Sequence, residues 1–505
     1  MNPRREGHED DARDDALFAH LSGKRHQPSF PSHDQKQPHA TRRDLRRVVL
    51  VMLTLALLRA VHVSYRNADA TTKALAHLYY QAPAIALAAV WLWGVNVWIW
   101  KLMKLNPHPL VVWHLSEVKA HLTDMQVFAI CTWSGVGYLT SLTAFLRFAN
   151  GAASAGDSFG NNQVALETTN HNLWKAHLSA AFVYVTPLLV LLMPVATGVY
   201  PHTCGFFKQT MWRCLTSWRN KPVRFGDFFL ADVLCSLAKS VSDLERSTCA
   251  LLAGPHLMFS PKRDPKFGTC GSHSWHVPFM LALPSVVRLA QCLRQRADGG
   301  FLVGTDVSGK SALEKQKAKQ TATANAAKYF SVFPVIFLSH LKYVVSVSCW
   351  TSLIRPLWIT CAVCNTALSF YWDVAHDWEL GVFGAVFQGF FGTSSAKNSE
   401  KNKPSNSPAS PGTKIAGPPS HHKAGNKYLR PRLLYGPPIV YYCAISLNFL
   451  LRLSWTYKLS SHLRHNAASV LTFSVLEISR RFLWSLFRVE KAYLARQPLW
   501  LGGRA

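Results

Sequence analysis

Apolar stretches of about twenty residues recur along the whole chain, and nothing else in the sequence limits the fold as strongly. A soluble domain cannot cover so many such blocks, because its helices keep a polar face for water. Inside a bilayer each segment must satisfy its own backbone N–H and C=O groups, so every block reads as an α-helix. Clear blocks lie at 48–65, 82–100, 125–146 and 177–199. Blocks that also carry ionisable residues lie at 227–252, 276–296, 326–341, 346–372, 436–457 and 468–488. The expected fold is an all-α, polytopic membrane protein with about ten transmembrane helices.

An even number of crossings puts both termini on one side of the membrane. The basic run Arg42, Arg43, Arg46 and Arg47 before the first block assigns that side to the cytosol. The loops then alternate as this orientation requires. Those expected in the cytosol carry Lys101, Lys104 and Lys119, then Lys208, Arg213, Arg219, Lys221 and Arg224. Arg294, Arg296, Lys310, Lys315, Lys317 and Lys319 follow, and then a group from Lys397 to Arg432. The opposite loops are sparse, with Arg66 and Lys73 in one and Lys458 and Arg464 in another. The net charge of +28 therefore belongs to cytosolic loops, and no nucleic-acid partner is expected.

This organisation divides the chain into a disordered cytosolic segment 1–46, four helices within 47–200, a basic cytosolic linker 201–225, a second helical half 226–492 and a cytosolic tail 493–505. The second half includes a polar Pro/Ser-rich insertion, 392–427, that is expected to be disordered. No apolar leader precedes the first block, so insertion is expected to use an internal anchor.

Eleven cysteines without a repeated spacing indicate neither a disulfide scaffold nor a metal module. Cys361 and Cys364 form a C-x-x-C, but within an apolar stretch that lacks the context of a redox motif. No metal and no cofactor is expected. Residues 304–311, GTDVSGKS, satisfy the phosphate-loop pattern G-x-x-x-x-G-K-[ST]. A loop between two membrane spans offers no nucleotide-binding domain around it, so no nucleotide is expected there.

The informative residues are the charges inside or at the edge of the second-half blocks: Asp232, Arg288, Lys328, Asp373, Asp377, Arg452, Glu477, Arg480 and Arg481. At about 2.5–3.5 kcal/mol each at mid-bilayer they cannot face lipid, so they must line an interior and pair with one another. Asp373 with Asp377, and Glu477 with Arg481, are spaced i, i+4, and Arg480 lies about 15 Å into its span. Five cations against four carboxylates leave the set at a nominal +1, which favours an anionic guest. Guanidinium groups suit a planar-fork partner such as phosphate or carboxylate.

Several blocks carry a resemblance to a known family: RFGDFFLADVLCSLAKSVSDLE from Arg224, ALPSVVRLAQCLRQRAD from Ala282, NAAKYFSVFPVI from Asn325, FYWDVAHDW from Phe370, LRPRLLYGPPIVYYCAISLNFLLRLSWTY from Leu429 and LEISRRFLWSLFRVE from Leu476. In this order they cover about half of the chain, and GVNVWIWKLMKLNP from Gly94 is a weaker match. The sequence resembles the EXS-domain family, which includes phosphate exporters of the xenotropic-retrovirus-receptor type and of plants, and a yeast Golgi protein needed to retain lumenal proteins of the endoplasmic reticulum.

The resemblance implies movement of inorganic phosphate through a path formed by the last six helices. Its lining residues would be Asp232, Arg288, Lys328, Tyr329, Asp373, Asp377, Arg452, Trp455, Glu477, Arg480 and Arg481, with Trp455 as a gate. A homodimer through the first-half helices is implied by the same analogy. Only about 46 polar residues precede the first block, so the SPX domain that senses inositol pyrophosphates in such exporters is not expected.

That pattern is similar to the Golgi branch, which returns to the cytosol the phosphate left by glycosylation. The expected function is thus non-enzymatic phosphate transport from Golgi lumen to cytosol, in support of glycosylation and retention in the endoplasmic reticulum. Phosphate would pass between Arg288 and Lys328, then along Arg452, Arg480 and Arg481, and leave as bridges to Asp373, Asp377 and Glu477 re-form. Alternatives are export at the plasma membrane, a scaffold that retains glycosyltransferases, and a transferase using His376 with Asp377 as base.

Overall fold

Helices account for every regular element among the described residues of the computed structural model, as hydrocarbon solvent requires. Those residues are 38–104, 124–157, 163–192, 209–217, 222–254, 274–298, 312–383, 428–459 and 466–495. Contacts divide the chain into two units, one ending at Leu53 and the other starting at Thr54. The described part of the first is helical, with Val48, Val49, Val51 and Met52 exposed as lipid-facing side chains are.

The first half contains α1 (Pro38–Arg66), α2 (Ala70–Leu102), α3 (Asp124–Asp157) and α4 (Gln163–Leu192). The helix α1 starts at Pro38, earlier than the segment 1–46 was expected to become ordered, because a polar basic stretch can prolong a helix that apolarity alone does not mark. At the start of α2 the Asp69 carboxylate accepts the Thr71 amide at 3.0 Å and the Thr72 amide at 3.3 Å, an N-cap that fixes the turn from α1. A Cβ at Gly94 would lie 2.9 Å from the Phe128 ring, so glycine is what lets α2 approach α3 closely. Leu75, Tyr79, Tyr80, Phe145, Ala176 and Ala180 fill this first core, and the Tyr80 hydroxyl meets Ser141 Oγ at 2.8 Å.

The second half is less regular. A span is broken at Leu237 into α5 (Phe225–Ser236) and α6 (Ala238–Ala253), and α7 (His276–Ala297) follows unbroken. The pair α8 (Ala312–Phe330) and α9 (Val332–Leu341) breaks at Ser331. A helix of mixed winding then runs through a π segment (Trp350–Ile354), α10 (Arg355–Tyr371) and a second π segment (Trp372–Asp377). After it come α11 (Pro438–Arg452), a 3₁₀ turn (Leu453–Leu459) and α12 (Ala467–Leu494). Trp100, Phe228, Trp378, Tyr441, Trp484 and Phe487 belong to one core that gathers one end of these helices. Each such side chain, fully buried, contributes about 1.5–3 kcal/mol.

Six described helices are long and apolar enough to cross a membrane: Val48–Arg66, Ala70–Leu102, Val127–Ala155, His276–Ala297, Val347–Asp377 and Pro438–Thr456. The protein is a multi-pass membrane protein. The expected span 177–199 falls partly outside the described residues. The spans expected at 227–252 and 326–341 are the two broken helices, and α12 carries Glu477, Arg480, Arg481, Arg488, Glu490 and Lys491. The pieces α5, α6 and α9 are each too short to cross alone, and α12 carries too many charges to read as an apolar span; its polar residues face protein, with Arg480 2% exposed and Glu490 fully buried.

Glu490 ties the segment before α11 to α12. It accepts Arg430 Nη2 at 2.6 Å and the Leu434 amide at 2.8 Å, and the Tyr441 hydroxyl donates to it as well. Glu490→Ala leaves Arg430 buried without its anion, and should lower stability by about 3–5 kcal/mol. Thermal unfolding of detergent-solubilised protein checks this, and an unchanged melting temperature would refute it.

The phosphate-loop match at 304–311 and the insertion 392–427 lie outside the described residues. Cys249, near the end of α6, is disulfide-bonded, a cross-link that no repeated spacing announces. Cys361 and Cys364 are both free on α10, the first half-buried and the second exposed.

Candidate functional site

The charged residues of the broken and π-wound helices meet in one interior. Asp232, on α5, is 2% exposed and accepts Arg288 Nε from α7 at 2.6 Å, while the Tyr329 hydroxyl of α8 donates to the same oxygen. Arg288 also donates through Nη1 to Gln291 Oε1 at 2.8 Å, and its guanidinium lies 4.7 Å from the Tyr329 ring centroid. This cation is thus paired with a carboxylate and held on two sides.

A second group centres on Asp373, 1% exposed at the start of the second π segment. Its Oδ2 accepts Arg452 Nη2 at 2.6 Å and Nε at 2.9 Å, Asn448 Nδ2 at 3.3 Å and Arg480 Nη1 at 3.4 Å. Arg480 donates to Glu477 through Nε at 2.9 Å and Nη2 at 2.6 Å. The i, i+4 pair expected between Glu477 and Arg481 is thus replaced by an i, i+3 pair with Arg480. Ser236, the last residue of α5, links the remainder: its hydroxyl donates to Glu477 Oε1 at 2.8 Å and accepts Arg481 Nε at 3.0 Å.

Asp373 and Asp377 do not share a partner. Asp377 accepts Trp484 Nε1 at 3.0 Å and lies 3.6 Å from Arg488 Nε. His376 stacks on Trp372, with centroids 4.2 Å apart, and its carbonyl accepts Lys491 Nζ at 2.6 Å. With the carboxylate held by Trp484 and Arg488 and the ring packed flat, this His–Asp neighbour pair is not assembled as a base.

Two of the five expected cations make no salt bridge with a carboxylate among the described residues: Lys328 and Arg481. Lys328, 8% exposed, has its ammonium 4.5 Å from the Tyr329 centroid and 5.5 Å from that of Trp372. Arg481 lies 4.3 Å from the Trp484 centroid, with Ser236 as its hydrogen-bond partner. Aromatic faces and one hydroxyl hold both groups in place without cancelling their charge.

The remaining expected residue, Trp455, sits one 3₁₀ turn beyond Arg452 and meets Trp358 of α10 edge to face, with centroids 5.8 Å apart. The register of α11 against the α10 region is antiparallel: Asn448 and Arg452 face Asp373, Phe449 faces Phe370 at 5.1 Å, and Trp455 faces Trp358. The tryptophan pair therefore lies at the end of the interior opposite Asp377, about five turns back along α10.

Comparison with known proteins agrees with this architecture. The model of the EXS family matches residues 76–494. The chain belongs to the EXS family. It is 25% identical over 422 residues to the SPX and EXS domain-containing protein 5 of Dictyostelium discoideum, covering 82% of this chain and 38% of that one. It is 24% identical over 433 residues to human solute carrier family 53 member 1, covering 82% of this chain and 50% of that one. Protein SYG1 of Saccharomyces cerevisiae is 24% identical over 408 residues, covering 77% of this chain and 39% of that one. The chain thus spans half or less of the length of these three relatives.

In this EXS protein the structure adds residues that the sequence reading passed over. Ser236 lies one turn after Asp232, and Trp484 and Arg488 lie one and two turns after Arg481, so a helical-face count from the known charges points to all three. Trp372 and Trp358 carry no charge, and nothing in their spacing separates them from lipid-facing tryptophan.

Proposed function

We propose that this protein moves inorganic phosphate across a membrane through the interior lined by α5, α7, α8, α10, α11 and α12. The observation that carries the reading is the pair Lys328 and Arg481: two cations held at the site without a carboxylate partner, beside three arginines already neutralised. A buried cation without a counter-ion is costly, and a mobile anion supplies one. A phosphate dianion between them meets an ammonium and a guanidinium fork, and its remaining oxygens can accept from Tyr329 or Ser236. Asp232, Asp373 and Glu477 keep the neighbouring arginines from adding to this attraction, so the guest is held weakly enough to leave.

The direction we propose is past Trp455 and Arg452, over Lys328 and Arg481, and out by Asp377 and Arg488. The supporting features are the antiparallel register and the positive-inside rule applied to the basic run at Arg42 to Arg47, which favours a cytosolic Asp377 end. The disulfide at Cys249 supports the same orientation, since such bonds persist on the non-cytosolic side. The membrane we propose is that of the Golgi, where phosphate released in the lumen by glycosylation needs a route to the cytosol, so that loss of the protein impairs glycosylation and retention in the endoplasmic reticulum.

Full-length protein in proteoliposomes, loaded with radiolabelled phosphate, tests transport directly. Imaging of an internally tagged chain beside Golgi and plasma-membrane markers tests the location. Residence at the plasma membrane would replace the Golgi assignment with export from the cell.

A further inference from the structure

The path has a second place where an anion can bind, at its outer end. Trp358 is 6% exposed, and the indole Nε1 atoms of both Trp358 and Trp455 are buried without an acceptor. Buried indole N–H groups find a partner in the large majority of cases. The two rings stand at 89° with centroids 5.8 Å apart. In such an edge-to-face pair only one ring can aim its edge at the other's face, so at most one N–H can be spent on a ring. The other has nothing to donate to.

Position gives these donors a purpose. Trp358, Ala362 and Ser369 are the buried residues of α10, and they fall with Asp373 on one helical face, directed at the same interior. Trp455 follows Arg452 by three residues, so a cation lies one short turn away.

Resting on the anion path proposed above, we infer that Trp358 and Trp455 together form an outer subsite for phosphate or a like tetrahedral oxyanion, with both indole N–H groups as donors. Trp358 is then a binding residue in its own right and not only packing for Trp455. Donors without charge suit this place, because they hold an oxyanion briefly and hand it to Arg452 and Lys328 further in.

The test keeps the ring and removes the hydrogen. Full-length wild type, Trp358→Phe, and a chain with 3-benzothienylalanine at 358, in which sulfur replaces N–H at nearly unchanged shape, are compared in two ways. One is radiolabelled phosphate flux against phosphate concentration on the tryptophan side. The other is thermal stabilisation of purified protein by inorganic phosphate. The expected result is a half-saturating concentration raised roughly five- to tenfold in both altered chains, with maximal flux kept within about twofold. An unchanged half-saturation with the benzothienyl residue overturns the inference, and so does a loss confined to maximal flux. The binding arm separates this inference from transport. If wild type carries no phosphate but is stabilised by it, and the isostere weakens that stabilisation, the subsite stands and transport fails. Stabilisation that is equal in both chains removes the subsite alone.

Discussion

Lys328→Met and Arg481→Met should each lower phosphate transport by roughly ten- to hundredfold while the purified protein keeps its melting temperature to within about 1 °C. Among the described residues neither cation forms a salt bridge with a carboxylate, so its removal takes no salt-bridge partner from a buried anion there. Methionine replaces most of the volume over Tyr329 and Trp372 at 328, and over Trp484 at 481, so packing survives as well. The loss then belongs to the anion, at about 1.5–3 kcal/mol for a charge-assisted hydrogen bond. Flux measured beside thermal unfolding of the same preparations separates the two effects. Unfolding in step with lost flux would make these cations structural, and unaltered flux would exclude them from the path.

Arg480→Ala should behave differently, although it is the immediate neighbour of Arg481. Arg480 is 2% exposed and joins Glu477 to Asp373 through contacts of 2.6 Å and 3.4 Å. Its loss orphans one carboxylate and weakens the shell of another, at about 3–5 kcal/mol, or roughly 3–5 °C in melting temperature for a chain of this size. Flux would fall because the interior collapses or rearranges. Glu477→Gln in the same chain removes the orphaned charge and should return part of the stability, as residues within one ion-pair network are coupled. A variant as stable as wild type would show that water reaches the network freely.

The charged interior could be read from the sequence because the cost of an ionised group in hydrocarbon does not depend on the fold. That argument finds Asp232, Arg288, Lys328, Asp373, Asp377, Arg452, Glu477, Arg480 and Arg481 from their positions inside or at the edge of apolar blocks. Pairing could not be read in the same way. Glu477 is as well spaced for Arg481 as for Arg480, and the choice falls to Ser236, which arrives from a helix some 240 positions earlier in the chain. The break at Leu237 and the π winding at Trp372–Asp377 are likewise tertiary, with no proline or glycine to mark them, whereas the break at Ser331 is legible in Pro334, which cannot donate to the Phe330 carbonyl. Glu490 escaped notice because its partner Arg430 lies before α11 and outside any apolar block.

Radiolabelled phosphate flux in proteoliposomes holding full-length protein, wild type beside Arg481→Met and Lys328→Met, bears most directly on the central claim. The account predicts transport by wild type well above empty liposomes and near-background flux in both variants, with all three proteins equally folded. Folded wild type that moves no phosphate, or variants that move it as wild type does, would contradict it.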